Sequence, residues 1–203
     1  MIVIIDYEMG NTGALIKMFN RLGHNSKVSN DKSEIEKASH LVLPGVGSFS
    51  RAVQKIDETK NLRSVLNDVV LSKNTPILGI CLGMQLLVSS SEEGEGEGFG
   101  WISGRVRKFD SSEGLRIPHM GWNMVNPVIQ HPLTAGLEDK ARFYFVHSFF
   151  VELLSEKHSV MTTNYGHDFV SVIARDNVMG VQFHPEKSHK YGLKLLSNFV
   201  EEN

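Results

Sequence analysis

The chain has 203 residues, of which 41% are hydrophobic and 22% are charged, a composition typical of a soluble globular protein with a substantial core. The 21 Lys and Arg residues nearly balance 23 Asp and Glu residues, and the net charge of -2 argues against nucleic acid or an anionic membrane as a partner. No apolar run approaches the roughly 18 residues that span a bilayer, and the single cysteine excludes an internal disulfide and fits a reducing cytosol. These features predict one cytoplasmic domain over residues 1–203.

The first predicted element is a buried strand near the N-terminus. Ile2–Ile5 is a continuous β-branched run, which is typical of a strand covered on both faces of a parallel sheet. Because Met1–Asp6 lacks a basic segment and a cleavage site, we expect this strand to belong to the fold and not to a signal peptide. A helix should follow, with Asn11 as its N-terminal cap and Gly23 at its end.

Short strands and helices then alternate along the first half of the chain. The predicted elements are a strand at Val28, a helix over Ser33–Ala38, a strand over Leu41–Leu43, a helix over Ala52–Ser72 that is broken near Asp57, and a strand over Ile77–Ile80. This order predicts an open α/β sheet, in which ligands bind at the carboxyl ends of the strands.

The loop Pro44-Gly45-Val46-Gly47 follows the third predicted strand. Two glycines around Val46 allow a peptide group to reorient, and a loop at the carboxyl end of a strand is well placed to supply an oxyanion-hole N–H. The same residues also fit a tight Pro-Gly turn without a catalytic role.

The only cysteine lies in Gly79-Ile80-Cys81-Leu82-Gly83, a pattern with the form of a nucleophile elbow. We expect the two glycines to be required because a neighbouring backbone approaches closely at the turn. A helix predicted over Leu82–Ser90 would place Cys81 at its N-terminus, where the helix dipole favours a thiolate and the Leu82 N–H faces an oxyanion. The alternative is an inert cysteine in an apolar core.

After Phe99 the pattern changes to short strands separated by turns. The predicted strands are Arg105–Phe109, His119–Asn123, Arg142–Phe149, Val160–Thr163, Phe169–Ala174 and Val178–Phe183, with turns at His167-Asp168 and Asp176-Asn177 and a final helix over Tyr191–Val200. The Gly- and Glu-rich stretch Ser91–Gly98 is predicted to be an exposed loop without chemistry of its own.

Val181–Glu186 is predicted to be a strand that ends in a His-x-Glu step. In an extended chain residues two apart point to the same side, so Glu186 would accept the N–H of the His184 ring and turn the other nitrogen towards a thiol. This predicts Cys81 as nucleophile, His184 as base and Glu186 as the orienting carboxylate. The alternatives are an ordinary surface His-Glu pair, or a metal site of these three residues that lacks paired-ligand spacing.

Five motifs, taken together and in this order, resemble those of class I (triad-type) glutamine amidotransferases. The third and fourth resemble the glutaminase subunits of imidazole glycerol phosphate synthase in particular. The motifs are Pro44–Gly47, Gly79–Gln85, Pro118–Asn123, Tyr144–Ser148 and Gln182–Glu186.

The resemblance implies an open, mostly parallel central sheet flanked by helices, with an additional antiparallel β portion. It implies that L-glutamine is hydrolysed through a thioester on Cys81, with His184 as base and acid and without a cofactor or metal. The ammonia would pass through a tunnel to a (β/α)₈ synthase subunit, bound as a heterodimer. There it would convert a ribulosyl-imidazole nucleotide to imidazole glycerol phosphate and an aminoimidazole carboxamide ribotide, in histidine biosynthesis.

The resemblance also assigns roles by position. It implies that the backbones of Gly47 and Leu82 donate to the oxyanion. It implies that Gln85, His147 and Ser148 contact glutamine. The residues that would face the partner are Asn11, Trp122 and Lys187.

One segment departs from the family pattern. The family usually has Asp-Tyr-Gly-x-Gly-Asn-Leu near its start, whereas Asp6–Thr12 of this chain has Glu8 at the first glycine position. That loop faces the synthase in the family, so the choice of partner stays open. Alternatives are a relative that supplies ammonia for amidino-sugar synthesis in a surface polysaccharide pathway, and a stand-alone cysteine γ-glutamyl hydrolase. A catalytically inactive binding subunit is a third, which the intact Cys81, His184 and Glu186 argue against.

Overall fold

The computed structural model describes residues 1–110 and 114–201, and its centre is an eleven-stranded mixed sheet beside a separate two-stranded sheet. The strands are β1 (Ile2–Ile5), β2 (Ser26–Ser29), β3 (His40–Leu43), β4 (Ile77–Ile80), β5 (Ser90–Ser91), β6 (Gly104–Lys108), β7 (His119–Met124), β8 (Asn126–Pro127), β9 (Arg142–His147), β10 (Phe149–Leu153), β11 (Ser159–Tyr165), β12 (His167–Arg175) and β13 (Val178–Val181).

Strands β2-β1-β3-β4-β13 run parallel to one another, in that spatial order. The sheet continues through β12, β10 and β6, each antiparallel to its neighbour, with β5 at the edge and with β11 and β8 attached beside β12. Strands β7 and β9 form the separate antiparallel pair. The predicted fold class, a mostly parallel sheet with an antiparallel portion, is confirmed.

In the part of the chain that the structure describes, six α-helices pack against the sheet. They are α1 (Thr12–Arg21), α2 (Lys32–Glu36), α3 (Phe49–Glu58), α4 (Leu62–Asn67), α5 (Leu82–Gln85) and α6 (His189–Glu201), and a π-helical turn over Asp68–Ser72 extends α4. The predicted break in the long helical stretch is present, since Asn61 between α3 and α4 has a left-handed φ of 59°.

The predicted helix over Leu82–Ser90 is wrong beyond its first turn. Helix α5 ends at Gln85, because the backbone of a later segment takes up the carbonyl groups that a longer helix would use. Phe99 N donates to the Leu86 carbonyl at 2.7 Å, and Ile102 N donates to the Leu87 carbonyl at 3.1 Å. A helix of four residues carries only a small dipole. Its electrostatic effect on the Cys81 sulfur is therefore weaker than that of the longer helix predicted from the sequence.

Two further element predictions are wrong. The single strand predicted over Arg142–Phe149 divides at Ser148, because β9 pairs with β7 whereas β10 pairs with β6 and β12. His167-Asp168 lies within β12, and the turn before it is formed by Gly166, whose φ of 74° suits a residue without a side chain.

The sheet has a hydrophobic core on each face. Along β1, Val3 and Ile5 point into one core and Ile2 and Ile4 into the other, as expected for a strand buried on both sides. Helices α3 and α4 cover the first core, and α1 and α6 cover the second. Within the described residues, no helix combines the length and the apolar character that crossing a bilayer requires.

Parallel strands bring four loops to one edge of the sheet. β1, β3, β4 and β13 all end at this edge, and the residues that follow them include Tyr7, Pro44, Cys81 and His184. The fold therefore joins segments that are far apart in the sequence at the place where ligands bind in open α/β sheets.

Candidate active site

Cys81 stands at a sharp turn between β4 and α5, with φ 55° and ψ -109°. This backbone conformation is strained for a residue with a side chain. The close packing predicted for the flanking glycines is present: a Cβ on Gly79 would lie 2.6 Å from the Gly83 carbonyl oxygen. A Cβ on Gly83 would lie 1.8 Å from the Leu43 carbonyl oxygen. A side chain on either glycine would therefore force the backbone of the elbow to shift.

The Cys81 side chain opens into a cavity of about 360 Å³. Cys81 itself is only 7% exposed, so this cavity is the route by which a substrate reaches its sulfur. The cavity is lined by Val46, Gly47, Cys81, Leu82, Gln85, Glu93, Pro118, Val146, His147, Ser148, Phe149, His184 and Lys187.

His184 reaches the same cavity from the end of β13, the parallel neighbour of β4. The two loops are held in register by a hydrogen bond from Cys81 N to the Val181 carbonyl at 2.8 Å. The His184 ring and the Cys81 sulfur line the same cavity, and His184 Nδ1 lies 2.7 Å from Glu186 Oε1. The His184 and Glu186 side chains are 4% and 3% exposed, so this His-Glu contact is shielded from water.

The environment of His184 favours its protonated form. Burial alone would lower the pKa of the imidazole, but hydrogen bonds and negative charge from Cys81 and Glu186 outweigh burial and raise that pKa to about 10. A ring whose surroundings favour a proton, in the same cavity as a cysteine sulfur, is suited to exchange a proton with that sulfur.

The contact between His184 and Glu186 has a different origin from the one predicted. β13 ends at Val181, and Pro185–Lys187 forms a 3₁₀ turn, so the two side chains do not meet along an extended strand. Ser188 Oγ closes the turn by donating to the His184 carbonyl at 2.6 Å and accepting from Tyr144 N at 3.0 Å. Glu186 Oε2 is buried without a hydrogen-bond partner in the described chain.

The described residues contain no group of three or more His, Cys, Asp or Glu side chains that could hold a metal ion. Cys81, His184 and Glu186 thus do not have the arrangement of a metal site, although they lie together.

The loop Pro44–Gly47 lies over the elbow and is held by a tyrosine that the sequence analysis did not single out. Tyr7, 1% exposed, donates its hydroxyl to the Pro44 carbonyl. Burial raises the pKa of the Tyr7 phenol well above its ordinary value, and the charge of Cys81 adds to this, so the phenol stays a donor. Gly47 lines the cavity with φ 99°, a conformation that favours glycine.

The Gly- and Glu-rich loop is not free of contacts with the site, contrary to the prediction. Glu93 lines the cavity, and its Oε2 accepts a hydrogen bond from Phe49 N at 2.8 Å, at the start of α3. A glutamate in an apparently exposed, charge-rich loop gave no periodic or spacing signal, so only the folded structure reveals its position.

Gln85 lies under the cavity wall, 4% exposed. Its Nε2 donates to the Phe149 carbonyl at 3.1 Å and to Gln182 Oε1 at 3.2 Å. Gln182 Nε2 in turn lies 3.8 Å from Cys81 Sγ. A chain of amides therefore links the elbow to β10, and the sequence analysis did not assign Gln182 a part in it.

His147 and Ser148 form the opposite wall. His147 is buried, and each of its ring nitrogens already has a protein partner: Nδ1 lies 2.7 Å from the Phe149 carbonyl and Nε2 lies 3.1 Å from His119 Nδ1. The ring thus has no nitrogen left for a ligand, and a contact with glutamine would use the backbone of this segment.

The residues predicted to face a partner lie on the surface. Trp122 is 44% exposed and stacks on His189 with ring centroids 5.5 Å apart, and Lys187 Nζ lies 5.5 Å from the Tyr144 ring centroid. Asn11 precedes α1 as predicted, but its side chain makes no cap hydrogen bond because its backbone, with φ -88° and ψ 63°, is not in the extended form of a cap.

Comparison with known proteins places this geometry in context. The sequence model of the family "Glutamine amidotransferase class-I" matches residues 3–203. The chain is 48% identical over 202 residues to "Imidazole glycerol phosphate synthase subunit HisH 2" of Methanococcus maripaludis, covering 100% of both chains. It is 44% identical over 201 residues to the protein of the same name in Pseudomonas aeruginosa, covering 99% of both.

The fold also resembles that of solved structures. A crystal structure described as a glutamine amidotransferase matches with a TM-score of 0.76 at 18% identity, covering 98% of this chain and 97% of the other. At this identity the likeness concerns the fold alone.

Proposed function

The chain belongs to the class I glutamine amidotransferase family, and from this membership we propose that Cys81, His184 and Glu186 hydrolyse L-glutamine to glutamate and ammonia. The observation that carries the proposal is the shared cavity, which a strained cysteine lines together with an imidazole that a buried carboxylate orients. We further propose that residues 1–203 form one amidotransferase domain.

In the first step the Cys81 sulfur attacks the carboxamide carbon of glutamine. The C–S bond forms, the carbonyl electrons move to oxygen, and the oxyanion lies towards the backbone N–H groups of Leu82 and Gly47. His184 donates its proton to the amide nitrogen, and the C–N bond breaks. Ammonia leaves, and the acyl group stays on Cys81 as a thioester. Glu186 stabilises the imidazolium and fixes which ring nitrogen faces the sulfur.

In the second step water hydrolyses the thioester. Neutral His184 removes a proton from the water, oxygen attacks the acyl carbon, and the C–S bond breaks to release glutamate and the thiolate. The same oxyanion donors act again. The net reaction consumes one glutamine and one water and yields glutamate and ammonia, so the residues at hand balance it.

The cavity wall supplies contacts for the rest of glutamine. The backbone of His147 and Ser148 lies along one side and Gln85 beneath it. Glu93 is the single carboxylate among the described residues that line the cavity, and its charge matches the α-ammonium group of the substrate. We assign Glu93 to bind that ammonium group. Gln85, His147 and Ser148 remain the other proposed contacts with glutamine.

We also propose a synthase partner. The names of the relatives describe subunits of imidazole glycerol phosphate synthase, so a second subunit of the (β/α)₈ cyclase class is expected to receive the ammonia. One face of β7 supports this partner. It carries a row of large apolar side chains suited to an interface, in which Met120 is 62% exposed, Trp122 44% and Met124 48%. Lys187 and Asn11 would extend the same contact.

The test compares glutamate release by the chain coexpressed with a candidate synthase and by its Cys81→Ala variant. Because Cys81 is the only cysteine, no other thiol can replace it, and the variant should lose at least about a thousandfold in kcat. Full glutaminase activity in the variant would refute the proposal. Equal activity of the isolated and partnered wild-type chain would instead favour a stand-alone γ-glutamyl hydrolase.

A second candidate keeps the chemistry and changes the recipient of the ammonia to an amidino-sugar synthase. It is favoured by Glu8, which adopts a left-handed φ of 66° where the family usually has glycine, and which pairs with Lys55 of α3. Coexpression with a histidine-pathway cyclase and, separately, with an amidino-sugar synthase distinguishes the two, because only the correct partner should raise glutamine turnover.

A further inference from the structure

A line of polar side chains crosses the antiparallel half of the molecule behind the cavity wall. Asn123 Nδ2 lies 3.1 Å from His119 Nε2, and His119 Nδ1 lies 3.1 Å from His147 Nε2. His147 Nδ1 then lies 2.7 Å from the carbonyl oxygen of Phe149. His119 was part of a recognised motif, but the reaction proposed above gives it no role.

The direction of every hydrogen bond in this line is determined from its two ends. At one end the Phe149 carbonyl can only accept, so His147 carries its proton on Nδ1 and its Nε2 is an acceptor. At the other end Asn123 Oδ1 accepts from Met124 N at 2.8 Å, which fixes the Asn123 amide group with Nδ2 towards His119. His119 therefore accepts at Nε2 and donates from Nδ1 to His147.

Both rings are held in the neutral form that this pattern requires. Burial lowers the pKa of His119 to about 4 and that of His147 to about 3. The His119 ring also lies between two aromatic rings, with centroids 4.0 Å from Tyr165 and 4.7 Å from Phe145. Its orientation is thus fixed by stacking as well as by hydrogen bonds.

The line ends at the bend where the chain changes sheets. The Phe149 carbonyl accepts from both His147 and Gln85, and the Ser148 carbonyl accepts from Phe109 N at 3.2 Å. The backbone of His147–Phe149 is the part of the wall to which glutamine is expected to bind. A ring that spans this bend from His147 to Phe149 determines where its backbone groups point.

We propose that His119 is a positioning residue for glutamine binding: by donating to His147 Nε2 it fixes the His147 ring, and through that ring the substrate-facing backbone of His147–Phe149. This inference rests on the proposed hydrolysis of glutamine in this cavity. His119 does not touch the substrate, since it lies behind His147 and does not line the cavity.

The test variant is His119→Phe, which keeps an aromatic ring between Tyr165 and Phe145 but removes the N–H donor. His147 Nε2 is then a buried acceptor without a donor, and the ring is free to tilt. We expect the KM for glutamine of the enzyme–synthase complex to rise about tenfold and kcat to change by less than about twofold. His119→Asn can place an amide N–H near the former Nδ1 position and should restore most of the affinity.

A second readout does not depend on turnover. In ¹⁵N spectra of the full chain, wild-type His147 should show a protonated Nδ1 and a hydrogen-bonded, unprotonated Nε2. In His119→Phe the Nε2 signal should move to the position of a nitrogen without a donor while Nδ1 stays protonated. His167→Phe is the matched control, because His167 lies in the same aromatic cluster, 5.6 Å from Phe109 between centroids, but outside the line of hydrogen bonds.

Three outcomes decide the proposal. A raised KM and a shifted Nε2 signal in His119→Phe, with neither change in His167→Phe, support it. An unchanged KM in a folded His119→Phe chain overturns it, whether or not kcat falls. If the wild-type complex hydrolyses no glutamine, the proposed function fails, whereas the ¹⁵N signals still report whether His119 holds the His147 ring.

Discussion

The two walls of the cavity are built in different ways. On the elbow side, backbone geometry places the reactive groups: parallel strands end together, Cys81 has a strained φ of 55°, and Gly83 packs directly against the Leu43 carbonyl. On the opposite side, side-chain hydrogen bonds between distant segments hold the wall, as in the pair His119 and His147.

This difference separates catalysis from substrate binding. The elbow side cannot accept one added carbon atom without moving the backbone, so changes there should abolish activity or stability. The opposite wall is held by several bonds of moderate strength, and the loss of one should weaken binding in steps. Changes on each side therefore have distinct kinetic signatures, which the following variants examine.

The largest effect is expected for His184→Ala on the elbow side. Without the imidazole the sulfur has no proton acceptor and the departing ammonia has no proton donor, so kcat should fall by at least about a thousandfold. Glutamate release by the complex with the synthase is the measurement. A loss below tenfold would mean that another group acts as base.

Gly83→Ala tests how strictly the backbone determines the elbow. Its Cβ would lie 1.8 Å from the Leu43 carbonyl oxygen, so the β4–α5 turn must shift, at a cost of about 3 kcal/mol or more in the free energy of unfolding. Gly13→Ala is the control, because a Cβ at that helical position meets nothing within 4 Å, and it should stabilise the chain by up to about 1 kcal/mol. Equal urea midpoints for the two variants would contradict the account.

Glu93→Gln tests the proposed contact with the substrate α-ammonium group. Loss of the charge should raise the KM for glutamine about tenfold and leave kcat nearly unchanged, because the contact is the same in the ground and transition states. Glu92→Gln in the same loop is the matched control, since Glu92 Oε2 accepts from Lys108 N outside the cavity. Comparable KM values for both variants would remove Glu93 from the binding site.

Tyr7→Phe should have the smallest effect of these variants. It removes a hydrogen bond that holds the loop Pro44–Gly47 over the elbow. Removal of the hydroxyl leaves the Pro44 carbonyl without its donor, so the loop Pro44–Gly47, which carries the proposed Gly47 oxyanion donor, loses one restraint. We expect kcat to fall about fivefold at constant KM. Tyr165→Phe, which removes a hydroxyl from the Arg116 carbonyl, is the control. A change confined to thermal stability would show that Tyr7 supports the fold and not the loop's catalytic position.

Sequence reasoning reached the elbow side because its determinants are local. The apolar run Ile2–Ile5 and the glycines around Cys81 report buried strands and a tight turn within a few residues. Even there one reason was wrong, because His184 and Glu186 meet through a 3₁₀ turn and not along a strand. The contact itself was predicted correctly, since two residues so close in sequence can meet in either conformation.

Residues of the opposite wall were assigned through the family resemblance, but nothing in the sequence indicated the hydrogen bonds that hold this wall. His119 and His147 are 28 positions apart, and Gln85 and Phe149 are 64 apart, so no local pattern indicates that they bond. Glu93 was dismissed with its charged neighbours because exposure in a loop cannot be read from composition alone. Such contacts depend on strand pairing and on the bend at Ser148, both of which are long-range features of the fold.

The reactivity of the sulfur is the central claim, and a diazoketone analogue of glutamine tests it most directly. The complex with the synthase is treated with the analogue, and the labelled site is mapped by peptide mass spectrometry. We predict one label per chain, on Cys81, that free glutamine prevents and that His184→Ala slows strongly. An unlabelled Cys81 in a folded complex, or labelling that glutamine does not prevent, would contradict the account.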